Sequence, residues 1–170
     1  MTPLEQNVRV RPALRSDARD LSRICRSSWR YAYTGIIPHR HLARTLDQRT
    51  ERWWRKNLSS RAGGYLLLEV LEQPAGYASL GYARHHGGHE GEIYELYLEP
   101  TYQGLGFGEV LFESCRMSLD QAKIRGLMVW VLKDNETARE FYRRRGGTPR
   151  TKRIDHSTGA RLEKVSYVWE

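Results

Sequence analysis

The feature that most constrains this chain is a glycine-rich segment, Gln103 to Gly108, with the sequence QGLGFG. It follows an apolar, strand-like run over residues 93–98 that Pro100 closes, and it precedes a helix-like run. Glycines at alternate positions let the backbone turn tightly and approach a ligand without Cβ clashes. A turn that leads into a helix directs several N–H groups at one point, where the helix dipole also favours negative charge. We therefore expect a strand–turn–helix unit that binds a phosphate-bearing ligand.

Hydrophobic periodicity predicts the element order β-α-α-β-β-β-α-β-α-β-β. The second predicted helix runs from Pro38 to Trp53-Trp54, and a turn at Gln73-Pro74 joins two of the strands. Residues 127–132 are continuously apolar, which is typical of a central strand covered on both faces. The order predicts an α/β fold with a mixed sheet, antiparallel in its first half, and a parallel pair bridged by the helix after the glycine segment.

The length and composition favour one domain over residues 1–170. No run of 18 apolar residues occurs, so we expect no membrane span, and the N-terminus lacks a signal-peptide core, so we expect a cytoplasmic protein. Cys25 and Cys115 are isolated and predict reduced thiols. The net charge is +8, but the basic residues accompany no nucleic-acid-binding motif, so we interpret them as solvated surface and expect no nucleic acid partner.

Three classes of phosphate ligand compete for a glycine-rich turn. A nucleoside-triphosphate P-loop needs GxxxxGK[ST], and no Gly-Lys-Ser/Thr occurs in the chain. A dinucleotide fingerprint needs GxGxxG, but the last position holds Glu109 or Leu111 when counted from Gly104 or Gly106. The pattern Q/R-x-x-G-x-G/A does fit, at Gln103, Gly106 and Gly108.

Two further segments accompany that pattern. Residues 92–100, EIYELYLEP, resemble the fourth strand of the GNAT superfamily of N-acetyltransferases. Residues 135–142, NETAREFY, followed by Gly146, resemble the superfamily signature N-x-x-A-x-x-φ-Y. The element order is similar over essentially the whole chain. The resemblance implies the GNAT fold, with splayed central parallel strands, and acetyl-CoA as cosubstrate.

The resemblance also implies functional residues. Backbone N–H groups of the glycine segment would bind the pyrophosphate, the edge of the fourth strand would pair with the pantetheine arm, and Asn135 would contact the cosubstrate. Asn135 could instead be only a helix N-cap, and Tyr142 only a core aromatic. The residues assigned to acetyl-CoA are Leu96, Tyr97, Leu98, Gln103, Gly104, Leu105, Gly106, Phe107, Gly108, Glu109, Asn135, Ala138, Phe141 and Tyr142.

The implied reaction is direct transfer of acetyl to a primary amine, which needs a base for the ammonium proton and an acid for the leaving thiolate. We assign Tyr142 as general acid. Glu92 is the leading base because it lies eleven residues before Gln103, as the strand glutamate does in the histone acetyltransferase branch; Glu95 and Glu99 are its rivals. A regular strand would place Glu92 and Glu95 on opposite faces.

The acceptor is expected between the first helices and the last strands. Trp29, Tyr31, Tyr33 and Ile36 would lie on one side and the turn from His156 to Gly159 on the other, although Trp29 also fits a core stripe. The acceptor could be a small-molecule amine or a protein amino group, and the protein a monomer or homodimer. The alternative function is an idle acyl-CoA-binding or sensing module.

A metal site is not expected. His85, His86 and His89 lie in a glycine-rich loop with only Glu90 as a partner at ligand spacing.

Overall fold

The computed structural model of the chain describes residues 7–58, 64–85 and 88–170. No helix within these ranges is long and apolar enough to cross a membrane. The described residues form seven strands and five α-helices, in the order β1 (Val8–Pro12), α1 (Ala18–Tyr33), α2 (His39–Gln48), α3 (Glu51–Leu58), β2 (Gly64–Val70), β3 (Gln73–Tyr82), β4 (Gly91–Leu98), α4 (Phe107–Gln121), β5 (Leu127–Leu132), α5 (Glu136–Arg144), β6 (Thr148–Asp155) and β7 (Leu162–Trp169).

The strands form one mixed sheet in the order β1-β2-β3-β4-β5-β7-β6. Neighbouring strands are antiparallel except β4 and β5, which are parallel and are connected through α4. The predicted mixed sheet, with one parallel pair after an antiparallel half, is confirmed.

The parallel pair is joined only at its beginning. β4 and β5 pair at Gly91–Leu127, Glu92–Met128 and Ile93–Val129, and the ladder ends there. β5 remains paired with β7 as far as Leu132. Beyond Ile93, β4 is therefore not paired with β5. The two central strands therefore splay, as the resemblance implied, and leave a main-chain edge of β4 available to a ligand.

A β-bulge changes which side chains of β4 share a face. Ile93 pairs with Leu80 and Glu95 pairs with Ser79, so Tyr94 is an extra residue in the ladder. Neighbouring residues of β3 point to opposite faces, and directly paired residues share a face. Ile93 and Glu95 therefore lie on opposite faces, and Glu92 lies on the same face as Glu95. The expectation from regular alternation was wrong because the strand is not regular.

Each face of the sheet is covered by helices. On one face, Leu111, Phe112 and Cys115 of α4 are fully buried against the sheet, together with Tyr142 of α5. On the other face, the apolar stripe of α1 packs with α2, α3 and the inward side chains of β2 and β3. The buried stripe of α1 contains Leu21, Ile24, Cys25, Ser28 and Trp29.

Two local predictions differ from the structure. The second predicted helix is two helices, because it ends at Gln48 and the side chain of Thr50 accepts a hydrogen bond from the Trp53 backbone N–H, 3.2 Å, at the start of α3. The hairpin turn between β2 and β3 lies at Leu71-Glu72, where φ is 50° and 64°. Two consecutive positive φ angles suit the twist of a tight hairpin, and this turn carries neither the glycine nor the proline that marks such turns.

Candidate active site

A groove of about 490 Å³ opens where β4 and β5 splay. The glycine segment, the beginning of α4 and one side of α5 form its walls, and the end of α1 closes it. Most of the predicted acetyl-CoA residues line it: Leu96, Tyr97, Leu98, Gln103, Gly104, Gly106, Gly108, Glu109, Asn135, Ala138, Phe141 and Tyr142. Leu105 is exposed outside the groove and Phe107 is buried in the core, so both could contribute only through their backbone.

The glycine segment adopts the conformation that an anion cradle requires. Gly104 and Gly106 have φ of 76° and 86°, in the left-handed region, and Gly106 is the N-cap of α4. The N–H groups of residues 104–108 have no acceptor within the described part of the chain. The Gln103 side-chain amide donates to the Leu98 carbonyl, 3.2 Å, and ties the turn to the end of β4. Several unpaired donors and a helix N-terminus therefore converge at one end of the groove.

Gly108 has a different role from the other two glycines. A Cβ at this position would lie 3.0 Å from Cε2 of Phe141, and Gly108 has no positive φ. The missing side chain allows α4 and α5 to pack closely along the groove.

Helix α5 supplies one side of the groove. The Asn135 side chain accepts from the Ala138 backbone N–H, 3.2 Å, so it caps the helix while also lining the groove. Tyr142 is 6% exposed, and its hydroxyl bonds to no described residue. Burial raises the pKa of Tyr142 well above its ordinary value, with a smaller contribution from Cys115. The hydroxyl therefore keeps its proton at neutral pH and remains free to donate.

Arg145 follows α5 and also lines the groove. Its guanidinium lies 3.6 Å from the Phe141 ring centroid, Nη1 donates to the Phe141 carbonyl at 3.0 Å, and Nη2 lies 3.5 Å from Glu109. Its Nε is buried without an acceptor among the residues described. A fixed cation with an unused donor suits a phosphate oxygen.

A second cavity, which we call the aromatic pocket, has a volume of about 530 Å³. It lies on the face of the sheet that carries Glu95, between the α2–α3 segment and the hairpin of β6 and β7. Seven aromatic side chains contribute to its wall: Trp29, Tyr33, Trp53, Tyr65, Tyr94, Tyr97 and Trp130. Ser157 and Thr158 of the predicted acceptor turn line it as well.

The groove and the aromatic pocket share a wall. The residues that line both are Tyr33, Tyr94, Glu95, Tyr97, Trp130 and Val131. The hydroxyls of Tyr33 and Tyr97 are hydrogen-bonded at 2.6 Å, and burial raises the pKa of Tyr33 to about 12. A ligand in the groove and a ligand in the pocket would therefore meet at this wall.

Glu95 is the carboxylate of the shared wall. Its Oε1 lies 2.5 Å from Arg49 Nη1, and its side chain is 12% exposed. The Arg49 guanidinium lies 4.9 Å from the Trp29 ring centroid and 4.7 Å from that of Trp53. Glu95 is thus held in place by a cation that aromatic rings hold in turn.

Glu92, the predicted general base, lines neither cavity. It is completely buried, and it accepts hydrogen bonds from the Arg84 backbone N–H at 2.9 Å and from Arg84 Nη2 at 2.7 Å. Glu99, the other rival, pairs with Arg23 and lines neither cavity. Of the three carboxylates, Glu95 is the one that lines both cavities.

The predicted acceptor residues are divided between the two cavities. Trp29 lines the aromatic pocket although it is 8% exposed and packs in the core, whereas Tyr31 and Ile36 line the groove. Tyr33 lines both. Within the described ranges no group of three or more His, Cys, Asp or Glu side chains is placed to hold a metal ion, and His86 lies outside those ranges.

Splayed parallel strands, a glycine cradle before a helix and a buried tyrosine on the next helix define a class of acyltransferases. Residues 21–147 match the family model described as the acetyltransferase (GNAT) family, and the chain belongs to that family. It is an acetyl-CoA-dependent N-acetyltransferase by that membership.

Relatives extend the match to most of the chain. The chain is 28% identical over 163 residues to the uncharacterized N-acetyltransferase YuaI of Bacillus subtilis. The aligned region covers 95% of this chain and 92% of YuaI. A solved GCN5-related N-acetyltransferase from Rhodopseudomonas palustris has a TM-score of 0.76 at 22% identity, covering 95% of this chain and 94% of that one. The PaiA N-acetyltransferase of Thermoplasma acidophilum, solved in complex with coenzyme A, has a TM-score of 0.72 at 16% identity, covering 95% and 99%. At these identities the two structures show a shared fold.

Proposed function

We propose that this protein transfers acetyl from acetyl-CoA directly to the primary amine of an acceptor, with Tyr142 as general acid. The observation that carries the proposal is the shared wall. Acetyl-CoA in the groove and an amine in the aromatic pocket would meet beside Glu95, and Tyr142 lines the groove. Positioning two reactants in this way supplies a large part of the rate of such reactions.

The residues of the groove fit acetyl-CoA. The free N–H groups of residues 104–108 and the Arg145 guanidinium suit the phosphates, and the PaiA structure with coenzyme A is consistent with that use of the fold. The free edge of β4 over residues 94–98 suits the amide groups of the pantetheine arm, in the manner of an added strand. Acetyl-CoA supplies a thioester, whose carbonyl carbon is open to attack by an amine.

We assign Glu95 rather than Glu92 as the group that receives the amine. An alkylammonium with a pKa near 10.4 is almost fully protonated at pH 7, so it must lose a proton before the nitrogen can attack. Glu95 can bind the ammonium and accept that proton, directly or through one water, because it lines both cavities. The C–N bond then forms as the C–S bond breaks.

Tyr142 donates its proton to the departing sulfur. Its raised pKa keeps the hydroxyl protonated before the reaction, and the same burial makes a free thiolate unfavourable beside it. The second proton of the amine nitrogen returns to Tyr142 through solvent, and Glu95 releases its proton to solvent, so the enzyme is regenerated and one proton is released per turnover.

Mixing the protein with acetyl-CoA and a panel of amines, while following free CoA and the acetylated product by mass spectrometry, tests this function. Transfer predicts equal amounts of CoA and N-acetyl product. The alternative, an idle acyl-CoA-binding module, predicts tight acetyl-CoA binding by calorimetry with no product for any amine. The buried tyrosine with a free hydroxyl favours transfer.

A further inference from the structure

The aromatic pocket has the dimensions of a small-molecule site. Its volume of about 530 Å³ lies in the range that encloses small ligands, and seven aromatic side chains line it beside charged and polar ones. Trp29 and Trp53 lie at one side with Arg49 between them, and Trp130 lies at the shared wall. Such a wall covers an apolar body of moderate size.

The shared wall provides a place for one charged end of an acceptor. Glu95 is the carboxylate there, and its Oε2 is buried without a hydrogen-bond donor among the described residues. An ammonium donates three hydrogen bonds and suits this free acceptor atom. The amine of the acceptor would therefore face the groove.

The pocket also has donors that no acceptor among the described residues fully occupies. Lys164 is 17% exposed, and its Nζ lies 3.6 Å from Asp155 and 5.0 Å from the Trp130 ring, so no close hydrogen bond saturates it. The indole N–H groups of Trp29 and Trp130 are buried without an acceptor in residues 7–58, 64–85 and 88–170. These donors call for an acceptor group on the ligand, which a carboxylate supplies.

The charge of the chain is concentrated on the two elements that frame the pocket. Residues 39–58, which contain α2 and α3, hold six Arg or Lys and two Asp or Glu, a net charge of +4. Residues 148–169, the hairpin of β6 and β7, hold five Arg or Lys and two Asp or Glu, a net charge of +3. His41 of α2 reaches the hairpin through the Thr158 carbonyl at 3.1 Å, so the two elements meet. Together they carry seven of the eight net positive charges, a field that attracts anions and repels polycations.

We infer that the acceptor is a small amine that also carries an acid group, of the amino-acid type, with an apolar side chain against the aromatic wall. The ammonium meets Glu95, and the acid group meets Lys164. This inference rests on the proposed transferase function and names the acceptor class of that site. Polyamines and basic peptides do not fit it.

Matched acceptors test the inference. Phenylalanine, tryptophan and leucine are each compared with the amine that lacks the carboxylate, and spermidine represents polycations. We expect kcat/KM to be at least about 10-fold higher for the acid in one or more pairs, which is the effect of one charge-assisted hydrogen bond. An equal or better rate for the decarboxylated amine in every pair, a preference for spermidine, or no transfer to any member overturns the inference.

A pair of variants locates the acid group. Lys164→Gln is expected to lower the acid-over-amine preference about 10-fold, through a higher KM of the acid. Lys164→Arg, which keeps the positive charge, should keep the preference for the acid. Arg19→Gln removes a positive charge from an exposed residue of α1 that lines neither cavity, and it should keep the preference. A Lys164→Gln enzyme with the full preference contradicts the assignment.

The two proposals fail differently. Failure of the unmodified protein to bind acetyl-CoA, or binding without transfer to any amine, would refute the transferase function itself. Acetyl-CoA binding and transfer to amines, without a preference for acids, would refute only the acceptor class.

Discussion

Glu95 and Arg49 form a 2.5 Å ion pair in the wall where the groove meets the aromatic pocket. Arg49 lies at the break between α2 and α3, and that break places its guanidinium between the rings of Trp29 and Trp53. The two tryptophan rings fix the position of the Arg49 guanidinium by cation–π contact, and the ion pair with Arg49 orients the Glu95 carboxylate. A break in a helix is thus part of the site.

Glu95→Gln should lower kcat about 100-fold or more, because general-base contributions are typically of that size. The acetyl-CoA dissociation constant should stay unchanged, because β4 is proposed to contact acetyl-CoA through its main chain, which the substitution leaves in place. Steady-state kinetics with saturating acetyl-CoA and calorimetric binding measure the two effects.

Glu92→Gln is the matched control for Glu95→Gln. It should lower the free energy of unfolding by about 1–3 kcal/mol, since it weakens a buried charge-assisted contact with Arg84, and leave kcat close to that of the unmodified enzyme. The opposite pattern, with activity lost in Glu92→Gln and kept in Glu95→Gln, would return the base to Glu92.

The conformation of Gly106 should matter for acetyl-CoA binding as well as for stability. Gly106→Ala meets no atom within 4 Å, but its φ of 86° costs an alanine about 1–2 kcal/mol. Gly88→Ala has a similar φ of 84°, also with nothing within 4 Å, and lines neither cavity. Both variants should lose similar stability in urea, and only Gly106→Ala should weaken acetyl-CoA binding. Equal affinities would mean that the turn is structural only.

Arg145→Gln should raise the acetyl-CoA dissociation constant about 10-fold or more, because a charge-assisted hydrogen bond contributes about 1.5–3 kcal/mol. Arg144→Gln is the neighbouring control, since the side chain of Arg144 is 74% exposed and pairs with Glu140 at 2.9 Å. Calorimetry at two salt concentrations should show a smaller salt dependence for Arg145→Gln alone. Identical behaviour of both variants would remove Arg145 from the phosphate site.

Stability should fall at alkaline pH. Burial raises the pKa of Cys25 to about 11 and the pKa of Cys115 and Tyr33 to about 12. The folded state therefore keeps protons that the unfolded state loses, so this contribution is complete below the ordinary Cys pKa of 9.0 and decreases as pH rises towards the folded values. Urea unfolding at pH 8, 9, 10 and 11 should give a decreasing free energy of unfolding above pH 9. A flat or rising curve would contradict the burial of these groups.

The fold was predictable because its signals are local. The apolar run at 127–132 is a central strand, the glycine segment begins α4, and Asn135 caps α5. The hairpin turn was predicted at Gln73-Pro74 but lies at Leu71-Glu72. The prediction was wrong because neither of these last two residues is a typical turn former. The break at Arg49 was missed because apolar periodicity continues across it, although Thr50 is a recognisable N-cap.

In the candidate site, the sequence predicted the groove but not the arrangement of the aromatic pocket. The groove is marked by glycines with positive φ and by helix N-termini, which are recognisable in a sequence. The acceptor side depends on contacts between distant segments, such as Arg49 with Glu95 and Lys164 with Trp130. The bulge at Tyr94 places Glu92 and Glu95 on the same face of the sheet instead of on opposite faces. The alternation of apolar and polar residues alone does not reveal a bulge. Arg145 is the last of three consecutive arginines, and its buried Nε distinguishes it from the two before it.

The rate of acetyl transfer by Tyr142→Phe is the most direct test of Tyr142 as the proton donor to the sulfur. In a single turnover, with enzyme in excess so that all acetyl-CoA is bound, we expect a rate about 100-fold lower than that of the unmodified enzyme, because the proton for the departing sulfur is lost. The acetyl-CoA dissociation constant should be unchanged, since the ring and its packing remain. An unchanged transfer rate would contradict Tyr142 as the general acid.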